Sequence, residues 1–313
     1  MTDKKIAVVM GGPSSEREVS LRTGGAIADA LEKKGYDITR MDLSPETFPQ
    51  DLIDKKIEIV FNAVHGLYGE DGRMQGMLDM LKIPYTGSGV EANVLAMDKI
   101  ISKQMFILED IPTPRSIVLS KTLPIEELKE KTEKFTLPVM LKPPDQGSTI
   151  GMSKVSGIDE LEGALKTAFE YSDKVLAEEF IEGREFTVAV LKYKGQIEAL
   201  PVIEIRPHSG AYDYHSKYTA GATTYLVPAP IDEEITAAMQ AYSKKMFDLF
   251  GCQGVARVDF MMDDKNNLYA LELNTVPGMT ATSLVPKAAA AVGISFEDLC
   301  ERILDSAFDK CFD

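Results

Sequence analysis

The chain has 313 residues, more than one hydrophobic core usually organises, so two or three domains are expected. Hydrophobic residues make up 44% and charged residues 27%, an ordinary globular balance. The formal net charge of −15 argues against a nucleic-acid partner, which needs a basic surface, and leaves room for a small anion held in a local basic pocket. No apolar run approaches membrane-spanning length. MTDKK leads straight into a strand with no signal-peptide-like segment behind it. Cys252, Cys300 and Cys311 form no CxxC and read as reduced thiols, so a cytoplasmic location is expected.

In chain order, Lys5–Met10 reads as a strand, 11–15 as a Gly/Ser loop, Glu18–Lys34 as a helix stopped by Gly35, and Tyr36–Met41 as a second strand. Ile57–Phe61 and Ile83–Thr86 are two more expected strands. Strand–loop–helix alternation with glycine at the turns argues for a parallel sheet with flanking helices, whose ligands gather at the strand carboxyl ends. The loop GGPSSERE lets backbone N–H groups approach a ligand but is not a Walker A loop. Its Glu16 suits an ammonium group, or simply the dipole at a helix start. His65 stands at a strand end among Gly66, Gly69 and Gly72.

A helix carrying Met97, Asp98 and Lys99 is expected to reach Glu109, followed by strands at Ser116–Leu119 and from Leu137 to Lys142. Lys142 at a strand end beside the loop PDQGSTIG reads as a phosphate clamp. Asp159–Tyr171 reads as helix, Lys174–Glu179 as strand, Phe180–Glu185 as linker and Phe186–Tyr193 as an alternating strand. The acidic–apolar stretch AEEFIEGRE offers backbone amides to a base and a carboxylate to a ribose. From Ile205 to Gly221 no periodicity is visible, as in a lid. Helices are expected at Asp232–Phe250, Pro286–Val292 and Ser295–Phe308.

The most informative stretch is RVDFMMDDKNNLYALELNTVPGM. Val258, Phe260 and Met262 alternate with Arg257, Asp259 and Met261, and Tyr269, Leu271 and Leu273 with Ala270, Glu272 and Asn274. Around the polar turn 263–267 this predicts a hairpin with one buried face. Its other face would gather Arg257, Asp259, Glu272 and Asn274. Hard oxygen ligands without Cys or His suit Mg²⁺.

Eight motifs, GGPSSEREVSL, AVHGLYGEDGRMQGMLD, PYTGSGVEANVLAMDK, QGSTIGMSKV, LAEEFIEGREFTVAVL, YDYHSKYTAG, GVARVDFM and ELNTVPGMTATSLVP, occur in this order. Together they resemble the D-alanine–D-alanine ligase family of the ATP-grasp superfamily over nearly the whole chain. The resemblance implies an α/β, three-domain ATP-grasp fold: an N-terminal parallel-sheet α/β domain over 1–96, a central lobe over 97–181, and a C-terminal lobe with metal site and lid over 182–313. The two α+β lobes would clamp ATP. It implies phosphorylation of one D-alanine and attack by the amine of a second, giving D-alanyl-D-alanine for peptidoglycan.

By the same resemblance, Asp259, Glu272 and Asn274 would hold two Mg²⁺ ions, with Mn²⁺ as substitute. Lys99 and Lys142 would pair with ATP phosphates, Glu178 and the backbone near Ile181 would meet adenine, and Glu185 the ribose. Arg257 and the Gly278 N–H would stabilise the oxyanion. Glu16 would bind the first ammonium, linked to Ser148 and Tyr218, with His65 nearby. Lys217 and Ser283 would hold the second carboxylate. A homodimer through the first domain is implied. Pro144, Gln146 and Val276 depart from the family pattern, which bears on the phosphate loop and lid. A D-alanyl-D-lactate or D-alanyl-D-serine ligase is the nearest alternative. Tyr218 argues against the lactate form, while His215 in the same loop leaves it open. A nucleotide-binding regulator with a dead site would be expected to lack one of the residues proposed for metal, phosphate or oxyanion.

Overall fold

The computed structural model describes residues 3–147, 150–210, 216, 219 and 221–309. The first layer is built from β1 (Lys5–Met10), α1 (Arg17–Lys33), β2 (Asp37–Asp42), α2 (Phe48–Asp54), β3 (Ile59–Asn62) and α3 (Arg73–Leu81). Its strands run parallel in the order β2-β1-β3. Both faces of β1 are covered, as in parallel sheets generally. Ile6 and Val8 pack with Ile27 and Leu31 of α1, while Ala7 and Val9 pack with Leu52, Met74 and Leu78. The expected strand at Ile83–Thr86 is only a single bridge, Val60 to Tyr85, because the chain turns away after one parallel pairing.

α4 (Val90–Met97) and α5 (Lys99–Leu108) replace the single helix expected here. Asp98 leaves helical geometry (φ −81°, ψ 100°), and its carboxylate accepts hydrogen bonds from the N–H groups of Ile100 and Ile101. That is the chemistry of an N-cap, and it puts Lys99 at the first helical position of α5. The central sheet comprises β4 (Ser116–Ser120), β5 (Val139–Lys142), β6 (Ser153–Val155) and β7 (Lys174–Glu179), with α6 (Ile125–Thr132) and α7 (Leu161–Ala168) inserted along the chain. The expected long helix over 159–171 is a 3₁₀ turn followed by α7. The sheet order is β4-β7-β5-β6, all antiparallel. Val139, Leu141, Val175 and Ala177 pack against the two helices, so period-2 alternation turns Met140, Lys142, Leu176 and Glu178 to the opposite face.

The third sheet contains β8 (Arg184–Tyr193), β9 (Gln196–Ala199), β10 (Ile203–Pro207), β11 (Thr223–Leu226), β12 (Val255–Met262) and β13 (Leu268–Asn274), with α8 (Glu233–Leu249), α9 (Leu284–Ala291) and α10 (Phe296–Asp305) around it. β8 was expected to alternate. Instead Phe186–Leu191 is buried throughout, because β8 is central and helices cover both its faces. Phe186, Val188 and Val190 meet Met239, Met246 and Phe247 of α8. Ala189 and Leu191 join a core shared with α1, α9 and α10. Lys34 at the end of α1 adds ion pairs to Asp298 (2.5 Å) and Glu301 (2.6 Å) of α10. No helix among the described residues is long and apolar enough to cross a membrane.

Candidate active site

The hairpin β12–β13 carries the chemistry, with one departure from the expected pattern. Arg257 pairs with Asn274, Val258 with Leu273 and Asp259 with Glu272, but Phe260 pairs with Ala270. Leu271 is therefore an extra residue, a β-bulge. Below the bulge the alternation inverts: Ala270 is buried with Leu273, and Tyr269 stands opposite Met261. Strict alternation had put Ala270 on the polar face and Tyr269 on the buried one. The four polar side chains nevertheless share one face, as expected.

That face is tightly wired. Arg257 donates to both oxygens of Asp259, Nε to Oδ1 at 2.9 Å and Nη2 to Oδ2 at 2.8 Å. Thr187 of β8, directly opposite Asp259, donates to Oδ1 at 2.6 Å, and the Asn274 amide donates to Oδ2 at 3.2 Å. Asp259 and Glu272 oppose each other across the ladder, which like charges resist. Cations relieve it, Arg257 at Asp259 and the Lys99 ammonium 3.5 Å from Glu272. Glu185 lies two residues before Thr187 on the same face of β8 and opposite Met261. Two carboxylates and an amide without sulfur or imidazole fit Mg²⁺, which takes one or two carboxylates and leaves its remaining positions to water and phosphate. Among the described residues no trio of His, Cys, Asp and Glu gathers into a denser metal cage.

Facing this hairpin is a lysine cluster. Lys99 also donates to the Gln146 carbonyl at 2.8 Å, tying α5 to the phosphate-loop candidate. Glu178, 2% exposed, spends one oxygen on Lys142 and the other on Lys103 at 2.8 Å. Burial alone would raise the Glu178 carboxyl. The two ammonium groups outweigh it and hold the group below its ordinary range. Ile181 is half-buried just beyond β7.

The third wall comes from the first layer. Glu16 precedes α1 without capping it, and its carboxylate lies between two glycines. A Cβ added at Gly66 or Gly147 would stand 2.9 or 2.8 Å from Glu16 Oε2, so a side chain at either position would displace it. His65 is 4% exposed. Its Nδ1 lies 2.9 Å from the Val276 carbonyl, which can only accept, so Nδ1 carries the proton and Nε2 accepts from Thr23 at 3.0 Å. Both ring nitrogens are used within the protein, and burial, with Arg257 adding, lowers the imidazole below its usual value against the pull of Glu16. Glu70 accepts from the Gly66 N–H at 2.6 Å. Loss of water around it, then repulsion from Glu16, pushes its carboxyl up to about 8. Gly278 follows the Val276–Pro277 turn beside Ser283, whose hydroxyl accepts from the Thr280 N–H at 3.1 Å.

Lys99 thus joins the face of Arg257, Asp259, Glu272 and Asn274 to the loop that follows Lys142, Glu178 pairs with Lys142, and the charges of Glu16, Arg257 and Glu272 all reach Glu70. Ser148, Lys217 and Tyr218 lie outside the described residues. Sequence reasoning missed Lys103, Thr187 and Glu70. The i, i+4 spacing from Lys99 could have flagged Lys103. Glu70 sat in a loop already singled out for its histidine, and Thr187 gave no signal.

Residues 109–305 match the family model described as D-ala D-ala ligase C-terminus, and residues 46–88 match D-ala D-ala ligase N-terminus. The D-alanine–D-alanine ligase of Syntrophotalea carbinolica is 49% identical, covering 98% of this chain and 97% of its own. That of Pelotomaculum thermopropionicum is 45% identical, covering 98% of each. Among solved structures, the Bacillus anthracis D-alanine–D-alanine ligase complexed with ATP superposes with TM-score 0.83 at 35% identity over 98% of both chains. VanG D-Ala:D-Ser ligase from Enterococcus faecalis gives 0.82 at 29% over 97% of this chain and 99% of its own.

The fold and these relatives define an ATP-grasp ligase, an enzyme that forms a bond between an acid and an amine. More narrowly, the chain belongs to the D-alanine–D-alanine ligase family.

Proposed function

We propose that this chain uses ATP to join two molecules of D-alanine, with the cleft between hairpin, lysine cluster and Glu16 as the reaction chamber. The observation that carries the reading is the single polar face of Arg257, Asp259, Glu272 and Asn274, set against Lys99. A carboxylate is a poor acyl donor because oxide is a poor leaving group. Transfer of the γ-phosphoryl group forms a P–O bond to the first D-alanine carboxylate and releases ADP. The second amine then attacks the acyl carbon, giving a tetrahedral intermediate. Loss of inorganic phosphate and of the amine proton leaves the peptide bond. Such a reaction depends mainly on positioning and charge stabilisation.

Each residue role here is part of the proposal. Glu16 would grip the first ammonium group, with Ser148 and Tyr218 linked to it. His65, locked in its neutral form, would hold the Val276–Pro277–Gly278 turn from behind while lying near that substrate. Arg257 and the Gly278 N–H would face the oxyanion. Lys217 and Ser283 would take the second carboxylate. Lys99 and Lys142 would meet the phosphates, Glu185 the ribose, and the Ile181 backbone with Glu178 the adenine edge. Mg²⁺ held by Asp259, Glu272 and Asn274 would neutralise phosphate oxygens. We also propose a homodimer through the first domain and a cytoplasmic location, consistent with the buried free thiols of Cys252 and Cys300.

The test is phosphate release from ATP with Mg²⁺ and D-alanine, with products separated, beside L-alanine, D-alanine plus D-lactate and D-alanine plus D-serine. D-alanine alone is expected to release phosphate and yield the dipeptide. No dipeptide, or a mixed product preferred over it, would overturn the assignment.

A further inference from the structure

Lys103 stands behind the cleft wall, and the mechanism above gives it no task. It lies four residues after Lys99 on α5 and therefore on the same helix face. Lys99 reaches the cleft, whereas Lys103 is 2% exposed. Its ammonium donates to Thr113 Oγ1 at 2.7 Å and to the Pro114 carbonyl at 2.8 Å, and it lies 2.8 Å from Glu178 Oε1. Three N–H donors meet three acceptors, so no donor remains for a ligand. Lys142 differs. Among the described residues it pairs with Glu178, and it stands where β5 runs into the loop carrying Gln146.

We propose that Lys103 is a positioning residue for nucleotide phosphate: by sharing the charge of Glu178, it leaves Lys142 with unspent donors and the cluster with a surplus positive charge toward the cleft. This rests on the reading that the cleft binds ATP. Two ammonium groups and one carboxylate sum to +1. Without Lys103, Glu178 and Lys142 close into a neutral pair, and the orphaned buried oxygen draws Lys142 away from the cleft. Lys103 touches no ligand and acts through Glu178.

The cluster is also sensitive to pH. The charged groups around Lys103 are Glu178 on β7, Lys142 on β5, and Lys99 one turn away on its own helix with Glu272 beyond. Burial brings the Lys103 ammonium down to about 8, against the pull of Glu178 and with Lys142 adding to the lowering. As pH rises through that value Lys103 loses its proton, and Glu178 is left to Lys142 alone.

The experiment is calorimetric titration of the full chain with Mg·ADP at pH 7 and pH 9, on wild type, Lys103→Met, Lys142→Met and the double variant Lys103→Met/Lys142→Met. Lys103→Met is expected to weaken binding on the order of 10-fold at pH 7. In the Lys142→Met background, where no ammonium is left to be captured, the same Lys103→Met change is expected to cost less than about twofold. Wild type weakens between pH 7 and 9 by more than Lys142→Met does. Binding by Lys103→Met equal to wild type, or an equal loss from Lys103→Met in both backgrounds, overturns the inference. Should Lys103→Met fail to fold, wild-type affinity unchanged from pH 7 to 9 overturns it. Failure of wild type to bind Mg·ADP at all would overturn the nucleotide reading itself, and this inference with it.

Discussion

Two buried carboxylates in this molecule each meet two cations, and they do so to opposite effect. Glu178, at 2% exposure, faces Lys103 and Lys142. Glu204 of β10, at 1%, faces Arg184 and Arg206. Each guanidinium chelates Glu204 through both oxygens, with four bonds between 2.8 and 2.9 Å. Planar forks suit this closed, fixed arrangement. An ammonium is a point charge with three rotatable donors, so Lys142 can satisfy Glu178 and still turn toward a ligand. The arginine cluster is built to hold two strands together, and the lysine cluster is built to hold charge in reserve.

Substitutions can break or sharpen this contrast. Glu272, which is a third exposed on its side chain and paired with one lysine, lies at the open end of the series. Glu272→Ala is expected to abolish dipeptide formation, with loss on the order of 10³-fold or more and an unchanged melting temperature. Near-wild-type turnover would sink the metal assignment. Lys142→Met should lower kcat/KM for ATP on the order of 100-fold, at about 1.4 kcal/mol per tenfold. Arg206→Met should leave kcat/KM within about twofold, since binding that removes no transition-state contact costs no rate. Equal losses in the two would erase the distinction.

Glu204→Gln should destabilise the fold by about 2 kcal/mol in urea unfolding. That is below the usual cost of breaking a fully buried pair, because the arginines are half-exposed. Its initial rate should stay near wild type. The smallest effect is in pH. Burial would raise the Glu204 carboxyl, but its hydrogen bonds to Arg184 and Arg206 hold it below its ordinary value. Its stabilisation is therefore present above the unfolded-state value of about 4.3 and lost as pH falls through the lower folded value. The stability gap between wild type and Glu204→Gln should close as pH drops below about 4, and a constant gap down to pH 3 would refute it.

The sequence made the hairpin legible because its polar residues recur with period 2 and its turn is rich in Asp and Asn. The first parallel layer was legible for a similar reason: apolar runs end in glycine loops. Short pieces escaped. α2, α3 and α6 span two turns or so, and β6, β9 and β11 three or four residues, too few for a period to emerge. Asp98 looked like one more polar residue in a long helix, although its side chain breaks that helix in two. Lys103 escaped because a lysine on an amphipathic helix ordinarily faces water, and here Thr113, Pro114 and Glu178 of β7 close around it. Ile205–Pro207 falls within the stretch that shows no periodicity, yet it belongs to the strand Ile203–Pro207, which pairs with β8 through Ile203, Glu204 and Ile205.

Leu271 carries a consequence for how the chain tolerates changes in length. It sits between the Phe260–Ala270 and Asp259–Glu272 pairs without a partner of its own. A one-residue deletion there would leave Glu272 opposite Asp259 and Asn274 opposite Arg257, at the cost of the local twist that a bulge supplies. A deletion on the other side of Glu272 would instead shift the carboxylate out of phase and turn it from the cleft. The hairpin therefore contains a single seam where a codon can be lost without moving the residues that face the cleft.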